Sequence, residues 1–122
     1  MKAVRVAAIL LIITLLAVVI NSIVLKVIID EITDEVVKAE EEDAELALKE
    51  YSEIFEKYKK KSSYISLTVN HEDLTDIENS FAEIIGAARG GDMVGVITIK
   101  SRLVSALTHL GRLTGINLDS IF

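Results

Sequence analysis

The chain has 122 residues and a net charge of −6, and it contains no cysteine, proline or tryptophan. Without cysteine there is no disulfide, thiolate catalyst, Cys-ligated zinc or lipid anchor on a Cys. Of the 13 Lys and Arg, Lys2, Arg5 and Lys26 precede Asp30, whereas all 19 acids lie from Asp30 onward, and so acidic a surface repels nucleic acid.

Val6 to Leu25 carries no charge, and only Thr14, Asn21 and Ser22 in it are polar. As a helix this run spans roughly 30 Å, the thickness of a bilayer's hydrocarbon core. A cleaved signal peptide needs a shorter apolar core and a small-x-small site, and no such site follows. A buried helix of a small soluble domain is rarely apolar around its whole circumference. Residues 1–26 therefore read as an uncleaved signal anchor, a single-pass span of the plasma membrane. By the positive-inside rule, Lys2 and Arg5 stay cytoplasmic and residues 27–122 form an extracytoplasmic domain. Thr14 is expected to bond the preceding turn, and Asn21 is assigned no role.

The helical period continues past the span. Leu25, Ile29, Ile32, Val36 and Ala39 form one stripe, which carries the first helix through about 27–39. Glu40 to Glu42 make a turn, and Asp43 is a candidate N-cap. The second helix, 43–69, has the stripe Ala44, Ala47, Tyr51, Phe55 and Tyr58. Glu45–Lys49, Glu53–Lys57 and Glu56–Lys60 are i,i+4 pairs on its outer face. Residues 62–70 read either as more helix or as an irregular interfacial segment.

The third helix, 72–89, starts at an Asn70–His71 junction and carries Leu74, Ile77, Phe81, Ile84 and Ala88. Gly90-Gly91 stops it. Asp92 caps the fourth helix, 92–113, with the stripe Val96, Ile99, Leu103, Ala106, Leu110 and Leu113, and Gly111 and Gly115 loosen its end. An apolar tail, 116–122, follows. The expected fold is all-α: a transmembrane helix continuing into an antiparallel four-helix domain of two helical hairpins.

His71-Glu72-Asp73-Leu74, followed by Ile77, and the ending Leu118-Asp119-Ser120-Ile121-Phe122 carry a resemblance. The chain resembles a domain-of-unknown-function family of small, single-span, helical membrane-anchored proteins of spore-forming Gram-positive bacteria. Those proteins have a His-containing start to the third helix and a C-terminus like Leu-x-x-Asn-Ile-Phe. Here Ser120 stands where that Asn falls, and the tryptophans of many members are missing. The resemblance implies no activity, but it implies a multi-pass membrane protein as partner.

No catalytic set emerges. His71, Glu72, Asp73 and Asp76 do not share one helix face, so no metal or other cofactor is expected. His109 reads as a boundary residue. Gly90-Gly91 lacks the Lys-Ser/Thr of a phosphate loop. Two surfaces remain. If the second helix returns towards the bilayer, Lys57, Tyr58, Lys59, Lys60, Lys61 and Tyr64 reach lipid headgroups, where basic and tyrosine side chains are favoured. His71, Glu72, Ile121 and Phe122 are the candidate partner or core-closing surface. The sequence thus points to a non-enzymatic interaction or accessory subunit at the outer face of the membrane. The alternative is a sensory or regulatory module whose helical packing answers a small ligand or ion.

Overall fold

The computed structural model describes the backbone of residues 1–65 and 71–121, with side chains over 1–65 and 72–112. Among the described residues there are four helices: α1 (Lys2–Lys38), α2 (Ala44–Ile65), α3 (His71–Arg89) and α4 (Met93–Ile121). Among the described residues there is no strand.

The helix ends follow local chemistry. α1 stops where Ala39 turns extended, at φ −67° and ψ 153°. The Glu40 carboxylate accepts from the Glu42 and Asp43 amides, and Glu50 of α2 accepts from the Glu40 amide at 2.6 Å. Asp43 then caps α2 through the Glu45 and Leu46 amides. At the α3–α4 turn the Asp92 amide bonds Ala87 O and the Gly91 amide bonds Ala88 O. With Gly91 at φ +75°, this is a Schellman ending, and a side chain there would be strained. Asp92 also caps α4 through the Gly95 amide at 2.9 Å.

One helix end differs from the sequence reading, and another falls outside the described residues. α2 is helical to Ile65, and 66–70 lie outside the described residues, as does Phe122. α4 does not end near 113 but runs to Ile121, taking in most of the expected tail. Gly111 does not end the helix, because it is buried against α1, where a Cβ would lie 3.6 Å from Ile29 and Asp30. Tertiary packing there outweighs the roughly 1 kcal/mol that glycine costs a helix.

The helices pack as a ring, α1 on α2, α2 on α3, α3 on α4 and α4 on α1. Asn21, Glu35 and Glu40 meet Tyr64, Lys57 and Glu50 in turn, so numbering falls along α2 as it rises along α1. Lys100 meets Ala39, while Gly111 meets Ile29, so α4 also runs opposite to α1. The core holds the whole expected α1 stripe, Leu25, Ile29, Ile32, Val36 and Ala39, and the whole α3 stripe. α2 contributes Ala47, Tyr51, Ile54, Tyr58 and Ile65; α4 contributes Val96, Leu103, Leu107 and Leu110.

Phe81 is the centre of an aromatic cluster. Its ring stacks on Phe55 at 5.0 Å and meets Tyr58 at 5.6 Å. Each such pair adds about 0.5–1.5 kcal/mol beyond burial. Phe81→Ala is therefore expected to destabilise the bundle by about 3–5 kcal/mol. Urea unfolding of the full chain in micelles, followed by circular dichroism, checks this; a loss below about 1 kcal/mol contradicts the cluster's central place.

Candidate membrane-facing site

α1 changes environment along its length. Residues 1–18 are exposed on every side, and burial begins at Ser22. Leu11 is 61 % and Ile20 60 % exposed, with nothing packed over them. Thr14 returns its hydroxyl to Leu10 O at 2.8 Å, so the exposed stretch satisfies its own polar group. α1 is long and apolar enough to cross a membrane. Met93–Arg112 of α4 passes the same test of length and composition. That segment carries Lys100 and Arg102 and has a fully buried stripe, the pattern of a core helix.

The bundle starts about one turn before the apolar run ends. Ser22 and Leu25 are already buried by it. Asn21 accepts a 2.5 Å hydrogen bond from the Tyr64 hydroxyl. The sequence reading gave Asn21 no role; the signal was an amide within an apolar run, which requires a partner.

The Lys57–Lys61 run divides between two faces. Lys59 lies over the Phe55 ring at 4.6 Å and pairs with Glu56 at 2.8 Å. That bond and charge hold the Glu56 carboxyl below its ordinary value. Tyr58 is fully buried, and its hydroxyl donates to Leu74 O at 3.5 Å, so it is a core residue and presents nothing to lipid. Lys57 turns not to Glu53 but to Glu35 on α1, at 2.5 Å. The bond and charge of Glu35 raise the Lys57 ammonium above its ordinary value.

Lys57, Lys60 and Lys61 line a cavity of about 260 Å³ with Ile28, Glu31, Ile32 and Glu35. A second cavity of about 270 Å³ lies further along the same seam, lined by Glu35, Lys38, Ala39, Glu50, Glu53, Ile54 and Lys57. The Lys57–Glu35 pair belongs to both. α1 packs more sparingly on α2 than on α4, which leaves this seam open. The second carboxylate oxygen of Glu35 is buried without a hydrogen-bond partner.

The other candidate surface lies at the same end of the bundle. His71 opens α3, Glu72 beside it is exposed, and Ile121 closes α4. Phe122 falls outside the described residues. His109 is exposed on α4. Among the described residues no three His, Cys, Asp or Glu gather as a metal site. Sequence reasoning missed Lys100, which is buried on α4 and donates to Ala39 O at 3.0 Å and Glu41 at 2.6 Å. It ties the far end of α1 to α4 and satisfies a terminal helix carbonyl.

No family model matches the chain, and neither the curated proteins nor the solved structures contain a match.

Burial pushes the Tyr51 and Tyr58 phenols above their ordinary value of 10.0, aided by Glu41 and Glu50 at Tyr51 and by Glu78 at Tyr58. Folded Tyr51, Tyr58 and Lys57 all hold protons that the unfolded chain releases more readily. The stability they contribute is complete below about pH 10 and falls as pH rises through the folded values. The denaturation midpoint is therefore expected to drop above about pH 10, with Tyr51 and Tyr58 phenolate absorbance appearing only as the bundle unfolds. Titration of all 3 tyrosines near the ordinary value in a folded chain contradicts this placement.

Proposed function

We propose that this chain is a non-enzymatic interaction or accessory subunit held at the outer face of the plasma membrane. α1 is its single-pass anchor. Lys2 and Arg5 keep the N-terminus cytoplasmic, and the bundle is extracytoplasmic. The observation that carries this reading is the unbroken course of α1. One helix of 37 residues supplies both the uncovered apolar stretch and a core element of the bundle. A domain joined in this way keeps a fixed height and angle at the bilayer, which suits it to seat against another membrane protein.

The partner is a multi-pass membrane protein, as the resemblance to single-span proteins of spore-forming bacteria implies. A surface for it is at hand on α4. Val94, Ile97, Thr98, Ser101, Ser105 and Thr108 are exposed and uncharged, on a bundle otherwise rich in charge. His71, Glu72 and the α4 end supply the membrane-side edge of the contact. The open α1–α2 seam favours a second reading, in which a small ligand changes how the helices pack.

Crosslinking in native membranes, purification through an internal tag and mass spectrometry test the first reading. One dominant multi-pass protein is expected, and an Ile97→Glu variant is expected to lose it at least tenfold. Recovery of the chain alone from both preparations contradicts the accessory role.

A further inference from the structure

The lower cavity of the α1–α2 seam has an unusual distribution of charge. Its α2 wall is basic, from Lys57, Lys60 and Lys61. Its α1 wall is acidic, from Glu31 and Glu35, and Ile28 and Ile32 give it an apolar patch. Lys57 and Glu35 neutralise each other. Lys60 and Lys61 are exposed and make no ion pair among the described residues. Among the described residues Glu31 also makes no such pair, and one oxygen of Glu35 is buried without a donor.

Height and size limit what enters. Ile28 lies three residues beyond Leu25, about 4.5 Å along the helix, and Glu31 about 9 Å. The polar layer of a bilayer extends roughly 5–7 Å beyond the hydrocarbon on each side. If α1 spans, Ile28 at the mouth of the cavity is therefore level with headgroups, Glu31 stands just beyond them, and Glu35, about 15 Å out, lies above their reach. A volume of about 260 Å³ equals about nine waters at ~30 Å³ each. That is room for a phosphate with a short polar arm.

We propose that this cavity binds a phosphodiester bearing a primary ammonium, the headgroup of a phosphatidylethanolamine in the adjoining leaflet. The phosphate sits between Lys60 and Lys61, where two ammonium groups meet its charge. The headgroup ammonium turns to the acidic wall and donates to Glu31. Ile28 and Ile32 cover the carbons between them. A choline headgroup has no N–H to give Glu31, and a wholly anionic headgroup leaves the acidic wall unanswered. The proposal rests on reading α1 as a bilayer span, and it gives the ligand of the second reading above a chemical class.

The full chain is reconstituted in nanodiscs of phosphatidylcholine alone, or with one quarter phosphatidylethanolamine or phosphatidylglycerol. Lipid retained per chain is counted by native mass spectrometry. Retention of one phosphatidylethanolamine, at least tenfold over the other two lipids, is expected. Lys60→Gln with Lys61→Gln is expected to abolish retention while leaving helicity intact, since both side chains are exposed. Glu31→Gln is expected to erase the preference for phosphatidylethanolamine over phosphatidylglycerol. Equal retention of all three lipids, a preference for phosphatidylglycerol, or selectivity surviving in the double-lysine variant overturns the proposal. Displacement of the lipid by soluble phosphoethanolamine at comparable concentration overturns the lipid as the source. Flotation of the chain with vesicles is scored separately. A chain that fails to float refutes the anchor itself, whereas one that floats without selectivity refutes only the cavity's ligand.

Discussion

Everything in this molecule hangs on the continuity of α1. A helix satisfies its own backbone, so it can pass from one solvent to another without leaving polar groups unpaired. What changes along α1 is only the side-chain pattern. From Val6 to Ile20 it is uncharged on all faces; beyond Leu25 it is apolar on one buried stripe and mostly charged elsewhere. The first pattern suits lipid and the second suits a bundle edge. No proline or glycine lies between them, and nothing therefore uncouples the two halves.

The bundle is built outward from that helix, tightly on one side and loosely on the other. Toward α4 the packing is close: Gly111 brings the backbones together at Ile29, and buried Lys100 fastens the far end at Ala39 and Glu41. Toward α2 the link is a few long side chains, Lys57 to Glu35 and Tyr64 to Asn21. An exposed ion pair such as Lys57–Glu35 contributes little to stability. The seam it crosses is thus the part of the fold where packing can change at least cost. The same asymmetry leaves two cavities open along this seam.

Much of this was legible in the sequence, for physical reasons. The stripes of α1 and α3 repeat at helical spacing with apolar residues, and every member is buried. Asp43 and Asp92 cap where a short polar residue precedes an apolar period, and Gly90-Gly91 ends α3 as a left-handed turn demands. What the sequence hid are decisions made by partners far along the chain. Lys57 has Glu53 one turn away yet bonds Glu35, because α1 lies against that face. Tyr58 belongs both to the apolar stripe of α2 and to the basic run, and its burial decides for the stripe. Gly111 reads as a helix breaker until α1 is known to lie beside it. Asn21 and Lys100 are single polar residues among apolar ones, and only the fold shows what satisfies them. The candidate site was legible as a basic end of α2, though not as a cavity with an opposing acidic wall.

The central claim is that one rigid helix crosses the bilayer and enters the bundle with its ends on opposite sides. The chain has no cysteine, so single Cys variants at Ala3, Leu11 and Val37 report cleanly with a membrane-impermeant maleimide. In sealed vesicles the account predicts that Ala3→Cys and Val37→Cys label from opposite faces. Leu11→Cys is predicted to stay protected until detergent is added. Labelling of Leu11→Cys in intact vesicles, or of both ends from the same face, would contradict the account.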